Sequence, residues 1–375
     1  MQSSSRRRGK APPDPVPSSL PPLYTPWIAD ALGGLPPSEH TATCGSCAML
    51  APRDHASPAA ASPDAVFFDP RSKCCTYIPW LPNFLVGRAL LDADPGAADG
   101  RASVLARIAA GHQVTPLGLE KPPTFVALYG LAASEVFGRA VDLRCPHYLT
   151  DTGGCGVWKH RMSVCATWFC KHDRGEVGMN GWTAVRHLLE AIERALAVHC
   201  VRELAPGAEA LRHAGNRDAD TRHAVKAPDL GGTPDTAAAR RLWGRFAGRE
   251  IAFYEACARL VEPLSWADLR RIGGVEIDVA ADLAREAFGQ LCSLDVPPTL
   301  WMGPLHVLRS DADAVECTTY SAFDPLSIPR ALFDVLPVFD GRPTRKALAA
   351  AREAGVPIGQ HVVRRLVDHA ILISR

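Results

Sequence analysis

Cysteine and histidine residues are concentrated in one short stretch of the sequence. This stretch contains Cys145, Cys155, Cys165 and Cys170, with His147, His160 and His172 between them. The residues Asp151-Thr152-Gly153-Gly154 predict a turn that brings Cys145 and Cys155 towards one point. Converging thiolates repel one another unless a cation neutralises them or they oxidise to disulfides. The chemistry expected here is therefore metal binding or thiol redox chemistry.

Four more cysteines lie earlier in the chain. Cys44 and Cys47 form a CxxC motif whose internal glycine lets both sulfurs face one side. Cys74 and Cys75 are adjacent, so they cannot easily form a disulfide with each other, and both can bind one metal only in an irregular turn. The predicted metal ligands are Cys44, Cys47, Cys74, Cys75, Cys145, Cys155, Cys165 and Cys170.

The spacing of these cysteines bears on the kind of metal. Structural zinc sites typically use paired CxxC motifs, and this sequence has a single one. An iron–sulfur cluster accepts less regular spacing, because the cluster itself spans the gaps between sulfurs. We therefore expect an iron–sulfur cluster, with a 4Fe–4S cluster as the first choice, and zinc or mononuclear iron as the alternatives.

The composition is that of an ordinary globular protein. The chain has 375 residues, of which 47% are hydrophobic and 22% are charged, and its formal net charge is +1. This balance gives no general reason to expect nucleic acid binding. The N-terminus lacks the apolar core of a secretory signal, and no apolar run reaches the length of a membrane span. We expect a cytoplasmic protein, because clustered cysteines in a reducing compartment favour metal over disulfides.

The sequence divides into five predicted regions. They are a disordered arm (1–37), a cysteine-cluster metal-binding domain ending in a long helix (38–204), a flexible linker (205–236), a helical region with a short hairpin (237–326) and a winged-helix-like unit (327–375). The expected fold class is α+β, mostly α. Its cysteine-rich domain is expected to be irregular, and a helical region follows it.

Local patterns predict individual elements within these regions. They indicate a strand at 65–68, a helix after Pro82, helices at 103–110, 180–204, 237–260 and 279–294, a buried segment at 124–136 and a hairpin around 311–313. Cys200, Cys257 and Cys292 occur singly in these helices. We expect them to pack as small apolar side chains rather than to bind metal.

The last fifty residues have a pattern of their own. Asp340 and Gly341 predict a turn, Thr344 predicts a helix N-cap, Gly355 predicts the end of that helix, and another helix is expected at 358–369. The pattern resembles small winged-helix peptide-binding modules attached to peptide-modifying enzymes, which share this DG-x-x-T motif. Arg364 and Arg365 are expected on the exposed side of the last helix, where DNA readers place base-contacting residues. We favour a solvated face over DNA contact because the chain is nearly neutral.

The order of the cysteines resembles a known family. Over residues 44–172 it is similar to the YkgJ-like cysteine-cluster proteins, a family described as zinc- or iron-chelating. The resemblance places seven of the predicted ligands, all except Cys170, at the family's cysteine positions, and it places Val157, Trp158 and Arg161 at conserved neighbouring positions. A long insert follows Cys47, and Met162 and Ala166 depart from the family pattern.

This resemblance and the residue chemistry suggest three functions. The first is a metal-binding protein with a structural or electron-transfer role. The second is a cluster-dependent enzyme that modifies a protein or peptide, since flagellin lysine N-methylases carry a similar cluster; no glycine-rich nucleotide loop supports it. The third is a metal- or redox-sensing DNA-binding regulator. Arg161 is expected to bind the cofactor by neutralising thiolate charge, with a surface position as the alternative. No catalytic residue is predicted.

Overall fold

The computed structural model of the chain describes residues 20–41, 43–45, 47–50, 67–204, 206–216 and 236–375. Within these residues the fold is mostly helical, with small antiparallel sheets of two or three short strands. The expected class, α+β and mostly α, is confirmed at this level. No helix in the described ranges combines the length and the apolar character that crossing a bilayer requires.

The first half of the chain contains helices joined by very short strands. Its elements are α1 (Tyr24–Leu32), β1 (Leu81–Pro82), α2 (Asn83–Leu91), α3 (Ala98–Ala110), β2 (Val114–Thr115), β3 (Gly118–Leu119), α4 (Pro123–Val136), β4 (Tyr148–Leu149), β5 (Gly154–Cys155), α5 (Ser163–Thr167) and α6 (Gly175–Leu204). Strands β1, β3 and β2 form one sheet, and β4 and β5 form a separate hairpin.

The second half begins with helices and ends with two small sheets. Its elements are α7 (Ala208–Asn216), α8 (Thr236–Trp243), α9 (Glu250–Val261), α10 (Trp266–Gly273), α11 (Val275–Cys292), β6 (Thr299–Met302), β7 (His306–Ser310), β8 (Ala314–Thr318), β9 (Leu326–Pro329), α12 (Arg330–Val335), β10 (Asp340–Pro343), α13 (Thr344–Glu353), α14 (Gln360–Asp368) and β11 (Leu372–Ile373). The strand orders are β10-β6-β11 and β7-β8-β9.

Helix α6 runs through the main hydrophobic core. The apolar residues that predict this helix, Trp182, Val185, Leu189, Ile192 and Leu196, are all buried. Burial of each such side chain contributes roughly 1.5–3 kcal/mol. The helix begins at Gly175, earlier than the predicted start at Asn180. The prediction that this stripe belongs to the core is confirmed.

Helices α2 and α9 pack closely where Gly87 lies. A Cβ atom on Gly87 would be 1.9 Å from the carbonyl oxygen of Tyr254. The Tyr254 hydroxyl donates a hydrogen bond to the carbonyl oxygen of Thr115, at 2.7 Å, and so ties α9 to strand β2. Glycine at position 87 is therefore required by the distance between the two helix backbones.

The predicted disordered arm at 1–37 is wrong for residues 20–37. Helix α1 lies in this segment, and its side chains Tyr24, Trp27 and Ile28 are buried in the main core. The Trp27 indole also donates a hydrogen bond of 2.8 Å to the carbonyl oxygen of Leu264. The Ser, Pro and Arg residues that suggested disorder precede the helix, and residues 1–19 lie outside the described ranges.

The predicted buried segment at 124–136 is a helix that lies largely on the surface. Of the α4 residues, Phe125 is buried, whereas Leu128 and Leu131 are 52% and 87% exposed. Apolar composition alone predicted burial, but without an amphipathic period it does not indicate which face meets the core.

Several predicted boundaries also differ from the structure. Helix α7 lies inside the predicted flexible linker, of which residues 205 and 217–235 are outside the described ranges. The single helix predicted at 237–260 is two helices, because Gly244 and Gly248 adopt positive φ angles between them. Residues 67–68 of the predicted strand at 65–68 are not in a strand, and 65–66 are not described.

The C-terminal part of the chain has its own hydrophobic core. Its buried residues include Leu300, Ile328, Leu336, Phe339, Val363 and Leu372. The predicted hairpin around 311–313 is confirmed as β7 and β8, and the predicted helices correspond to α13 and α14. The assignment of this region as a winged-helix-like unit stays a prediction, as do the other domain boundaries.

Two local predictions for this region are wrong. Thr344 is the first residue of α13 rather than its N-cap, and its hydroxyl donates to the carbonyl oxygen of Pro297 at 2.8 Å. This bond fixes the start of the helix to the chain that precedes β6. Asp340 and Gly341 lie in strand β10 instead of a turn, with Gly341 against the Trp301 ring.

Candidate metal centre

The β4–β5 hairpin brings two of the predicted ligand segments together. Tyr148 pairs with Cys155 and Leu149 with Gly154, and Gly153 adopts a φ of 65° in the turn between the strands. The predicted turn at 151–154 is thus confirmed. Burial, with a smaller contribution from the charge of a Cys155 thiolate, raises the pKa of the Cys145 thiol to about 12. The two sulfurs are therefore close enough to affect each other.

A turn at residues 70–76 presents Cys74 and Cys75 to this hairpin. Lys73 adopts a φ of 50°, which makes the turn irregular, as two adjacent ligands would require. The Cys145 backbone N–H donates to the Cys75 carbonyl oxygen at 2.7 Å. The Lys73 ammonium group donates to the carbonyl oxygens of Cys44, at 2.9 Å, and Gly153, at 2.8 Å. Backbone and lysine bonds thus join three cysteine-bearing segments.

Helix α5 carries Cys165 and is held by Glu193 of α6. The Glu193 carboxylate accepts hydrogen bonds from the Ser163 backbone N–H, at 2.6 Å, and from the Ser163 hydroxyl, at 2.7 Å. It also accepts one from the Tyr24 hydroxyl, at 2.5 Å. Burial raises the pKa of Glu193 to about 7. The sequence carries a signal for this role that we missed, an acidic residue on the apolar face of α6 beside Ile192.

Five thiols influence one another and form what we call the five-cysteine group: Cys44, Cys75, Cys145, Cys155 and Cys165. Burial raises the pKa of Cys165 strongly, and thiolates at Cys145, Cys155 and Cys75 would add to this rise. Burial likewise raises the pKa of Cys155 to about 11, with Cys75 as a contributor. Without a cation, the thiols of Cys145, Cys155 and Cys165 therefore stay protonated.

The five-cysteine group is open to solvent on one side. Cys44 and Cys165 keep exposed surface, whereas Cys75, Cys145 and Cys155 are partly buried. Protein atoms nevertheless surround the sulfurs of Cys44 and Cys165 closely enough for burial to raise the pKa of both thiols. A metal or a small reactant can reach the group from the side of Cys44 and Cys165.

Cys170 stands apart from the five-cysteine group, whereas Cys47 contributes to the raised pKa of both Cys170 and Cys44. Together with Met49, Phe68, Phe137, Trp168 and Phe323 they form a small apolar cluster. Burial raises the pKa of Cys170 to about 11, and Cys47 contributes to this rise. Cys74 links the two sets, because it packs against the apolar cluster and hydrogen-bonds to the Cys75 sulfur. That bond raises the pKa of Cys74 and lowers that of Cys75.

Arg161 lies among the thiols and is 5% exposed, so the alternative of a surface arginine is wrong. It donates hydrogen bonds to the carbonyl oxygens of Cys165, at 3.1 Å, and Trp158, at 2.8 Å. Its guanidinium stacks 3.5 Å from the centroid of the Trp158 ring. Burial lowers the pKa of Arg161, and thiolates at Cys155, Cys44 and Cys165 would raise it again. Arg161 is therefore placed to neutralise thiolate charge.

Two histidines near the group, His147 and His160, each have a buried ring nitrogen without a hydrogen-bond partner in the described structure. His147 is 1% exposed, its Nδ1 atom is 2.8 Å from the Ser103 hydroxyl, and its Nε2 atom is buried without a hydrogen-bond partner in the described structure. Burial lowers the pKa of His147 to about 3, so its imidazole is neutral at pH 7. His160 binds the Asp92 carboxylate through Nε2, at 2.8 Å, and it is the Nδ1 atom of His160 that has no partner.

The donor set suits a soft metal, since it consists mainly of thiols, with unpartnered imidazole nitrogens of His147 and His160 nearby. Among the described residues, however, no group of three or more His, Cys, Asp or Glu side chains has the arrangement that would hold one metal ion. The sulfurs are close enough to perturb one another and too dispersed for one tetrahedral ion. Whether these residues hold a metal, and of which kind, therefore stays a prediction.

A cleft of about 470 Å³ separates strand β9 from the residues that follow Cys170. Its walls include His172, Asp173, Asp324, Ser327, Arg365 and His369. A neighbouring groove of about 780 Å³ shares Thr41, Asp173 and Arg365 with it. The Nδ1 atom of His172 is buried and has no hydrogen-bond partner in the described structure. The sequence does not predict this cleft, because its two walls are remote from each other along the chain.

The two predicted DNA-contacting arginines have different surroundings. Arg364 is not on an exposed face, because its guanidinium pairs with Asp368 at 2.6 Å and its side chain is 14% exposed. Asp368 also pairs with Arg174 of α6, at 2.7 Å. Arg365 is exposed, and no hydrogen bond or ion pair of its side chain occurs in the described part of the chain. Of the two arginines that the DNA-binding hypothesis requires on an exposed face, only Arg365 is exposed.

The remaining cysteines occur singly, as their sequence positions predict. Cys200 and Cys257 are buried in the main core, so their predicted packing role is confirmed. Cys292 is exposed at the end of α11, and the expectation that it packs is wrong. Cys317 is buried in the C-terminal core.

The chain was compared with protein-family models, curated proteins and solved structures, and none of them matched. The resemblance to the YkgJ-like family therefore stays a prediction that depends on the cysteine order alone.

Proposed function

We propose that this protein holds an iron–sulfur cluster, with 4Fe–4S as the first choice, through its clustered cysteines. The observation that supports this proposal is the five-cysteine group, in which thiols from four separate segments perturb one another's pKa values. Cys74 adjoins this group as a sixth candidate ligand. Cys47 and Cys170 are proposed as ligands only if the apolar cluster around them opens.

The dispersed positions of the thiols favour a cluster over a single ion. A zinc ion needs four ligand atoms at roughly 2.0–2.3 Å, whereas a cluster bridges sulfurs that are farther apart. Arg161 would then balance part of the net negative charge of the cluster and its thiolates. When bound, the cluster would supply either a structural cross-link or one-electron transfer. The exposed side at Cys44 and Cys165 is where electrons would be exchanged.

Anaerobic purification of the full-length protein tests this proposal. We expect brown protein with broad visible absorption, containing iron and acid-labile sulfide. Cys145→Ser and Cys155→Ser should lose most of both, while Cys292→Ser, an exposed cysteine outside the group, should retain them. Colourless protein that contains zinc but no sulfide would show that the site binds zinc instead of a cluster. Protein without any metal would refute the proposal.

We also infer a second function, the binding of an extended peptide in the cleft beside β9. In the described structure β9 pairs only with β8, so its other edge faces the cleft. The Arg330 backbone N–H is directed towards β8, where it donates to Asp313. By strand alternation the N–H of Ser327 points away from β8, into the cleft. Strand addition at such an edge is a common mode of peptide binding.

The sequence of β9 limits how such a peptide can bind. Pro325 and Pro329 share the outward edge with Ser327 and have no N–H groups. Ser327 is therefore the one residue of this edge that can donate and accept, and it would set the register of the bound peptide. Asp173 and Asp324 have hydrogen-bond partners within the protein, whereas Arg365 has none in the described structure. The cleft therefore favours a peptide with an acidic residue.

A displayed library of short random peptides tests this second proposal. We expect the full-length protein to enrich peptides with acidic and apolar residues. Ser327→Pro, which removes the outward N–H, and Arg365→Glu should abolish the enrichment, whereas Ser327→Ala, which keeps the N–H, should not. Enrichment that persists in Ser327→Pro would contradict the proposal, and so would a wild-type protein that enriches no peptide. A peptide site of this kind would support the hypothesis of a peptide- or protein-modifying enzyme.

A further inference from the structure

The loop that joins β8 to β9, residues 319–325, lies between the cleft and the cysteines, and we call it the bridge loop. Its residue Phe323 packs against Phe68, Phe137 and Trp168, with ring centroids 5.8, 6.0 and 6.1 Å away. These aromatic side chains bury Cys170 and cover part of Cys47 and Cys74. The C-terminal part of the chain thus contributes a side chain to the packing of the cysteines.

The opposite end of the bridge loop is attached to the cleft. Asp324 lines the cleft, accepts a hydrogen bond from the Tyr320 hydroxyl and pairs with Lys171 at 3.5 Å. Lys171 directly follows Cys170 in the sequence. The Thr319 hydroxyl donates to the carbonyl oxygen of His369, at 2.6 Å, on the other wall of the cleft. The loop therefore contacts both walls.

A second connection joins the cleft to Cys44. The Asp173 carboxylate accepts hydrogen bonds from the backbone N–H groups of His40, at 3.1 Å, and Thr41, at 2.9 Å. Both Thr41 and Asp173 line the cleft. Thr41 lies three residues before Cys44, and Asp173 lies three residues after Cys170. The same wall of the cleft is thus continuous with two of the cysteine-bearing segments.

We infer that the bridge loop couples the cleft to the cysteines, so that a ligand lying along β9 displaces Phe323 and changes the packing of Cys170 and Cys47. The inference rests on the proposed peptide cleft and names how that site is regulated. Packed aromatic side chains have few alternative arrangements, so a small displacement of Phe323 changes how often Cys170 becomes accessible. The hairpin cysteine Cys155 lies outside this apolar cluster and should not respond.

Cysteine alkylation of the full-length, reduced and chelator-treated protein tests the coupling without needing a cluster or a peptide. N-ethylmaleimide labelling is followed for each cysteine by mass spectrometry. Phe323→Ala should increase the labelling rate of Cys170 roughly tenfold or more, because the group covering it is removed. Phe333→Ala is the matched control, since Phe333 is a partly buried phenylalanine of the same C-terminal core.

A tryptophan can stand in for the cleft ligand. Ser327→Trp places a large side chain in the cleft, whereas His306→Trp places the same side chain at the exposed outer edge of the same sheet. We expect Ser327→Trp, and not His306→Trp, to change the labelling rate of Cys170 at least about threefold. Equal rates in Phe323→Ala and Phe333→Ala, or equal acceleration of Cys170 and Cys155, would overturn the coupling. The labelled sample has been treated with chelator and contains no added peptide. These outcomes therefore do not depend on whether a cluster or a peptide binds.

Discussion

Replacing Glu193 by glutamine should remove a specific pH dependence of stability. The carboxyl group of Glu193 is fully buried, and its pKa rises from 4.5 to about 7 in the folded protein because of burial. The folded state therefore holds a proton that the unfolded state releases near pH 4.5. At about 1.4 kcal/mol for each tenfold change in acidity, the difference corresponds to about 3 kcal/mol.

The sign of this effect follows from the raised pKa. Below pH 4.5 the carboxyl group is protonated in both the folded and the unfolded state, so its ionisation does not change the unfolding free energy. As the pH rises to about 7, unfolding is increasingly favoured because the unfolded carboxyl group ionises freely. The unfolding free energy of the wild type, relative to Glu193→Gln, should therefore fall by up to about 3 kcal/mol across this window and stay constant above it.

Urea unfolding of the chelator-treated proteins between pH 5 and about 8 measures this difference. Subtracting Glu193→Gln from the wild type cancels the opposite contributions of buried neutral histidines such as His147, whose lowered pKa makes stability rise with pH. Glu353→Gln, an exposed residue of helix α13, is the control and should follow the wild type. A difference that does not change with pH, or that grows in favour of the wild type as the pH rises, would refute the reasoning.

Three further predictions concern the packing and charges around the site. Gly100→Ala should destabilise the protein by about 1–3 kcal/mol in urea unfolding and reduce bound metal, because its Cβ would lie 1.9 Å from the carbonyl oxygen of Gly156. Asp368→Asn should cost about 3 kcal/mol in thermal unfolding, since it leaves Arg174 without its largely buried partner. Arg161→Lys should keep the helical circular dichroism but lose metal more rapidly to a chelator, because lysine lacks the planar donor geometry that reaches two carbonyl oxygens.

The parts of the fold that were predicted correctly depend on local chemistry. The hairpin between Cys145 and Cys155 follows from its turn residues, and helix α6 follows from an apolar stripe of helical period. Both signals are contained within a few consecutive turns of the chain. The break between α8 and α9 was missed although Gly244 and Gly248 lie there, because a single glycine is also tolerated inside a helix.

The failed predictions concern contacts between distant segments. Residues 20–37 were assigned to an arm because of the composition that precedes them, yet α1 buries Tyr24 against Glu193, which lies 169 residues later. Helix α4 has an apolar sequence, but nothing in that sequence indicates that the described structure leaves Leu131 uncovered. Burial depends on what lies opposite a residue, and sequence periodicity reports only which residues share a face.

The cysteines show the same limit within one site. Cys165 and Cys170 are five residues apart, and on spacing alone they would be expected to serve the same centre. The chain leaves helix α5 after Thr167, so Cys165 joins the five-cysteine group while Cys170 packs with Phe68 and Met49. The two cysteines are separated by the direction that the chain takes after helix α5. Glu193 holds the start of this helix at Ser163, and Phe323 packs against Trp168, which directly follows the helix. Because both anchors come from remote parts of the sequence, the division of the cysteines into the five-cysteine group and a covered set follows from the tertiary fold. If the proposed cluster is present, Cys155→Ser should lower the metal content of anaerobically purified protein more than Cys170→Ser does.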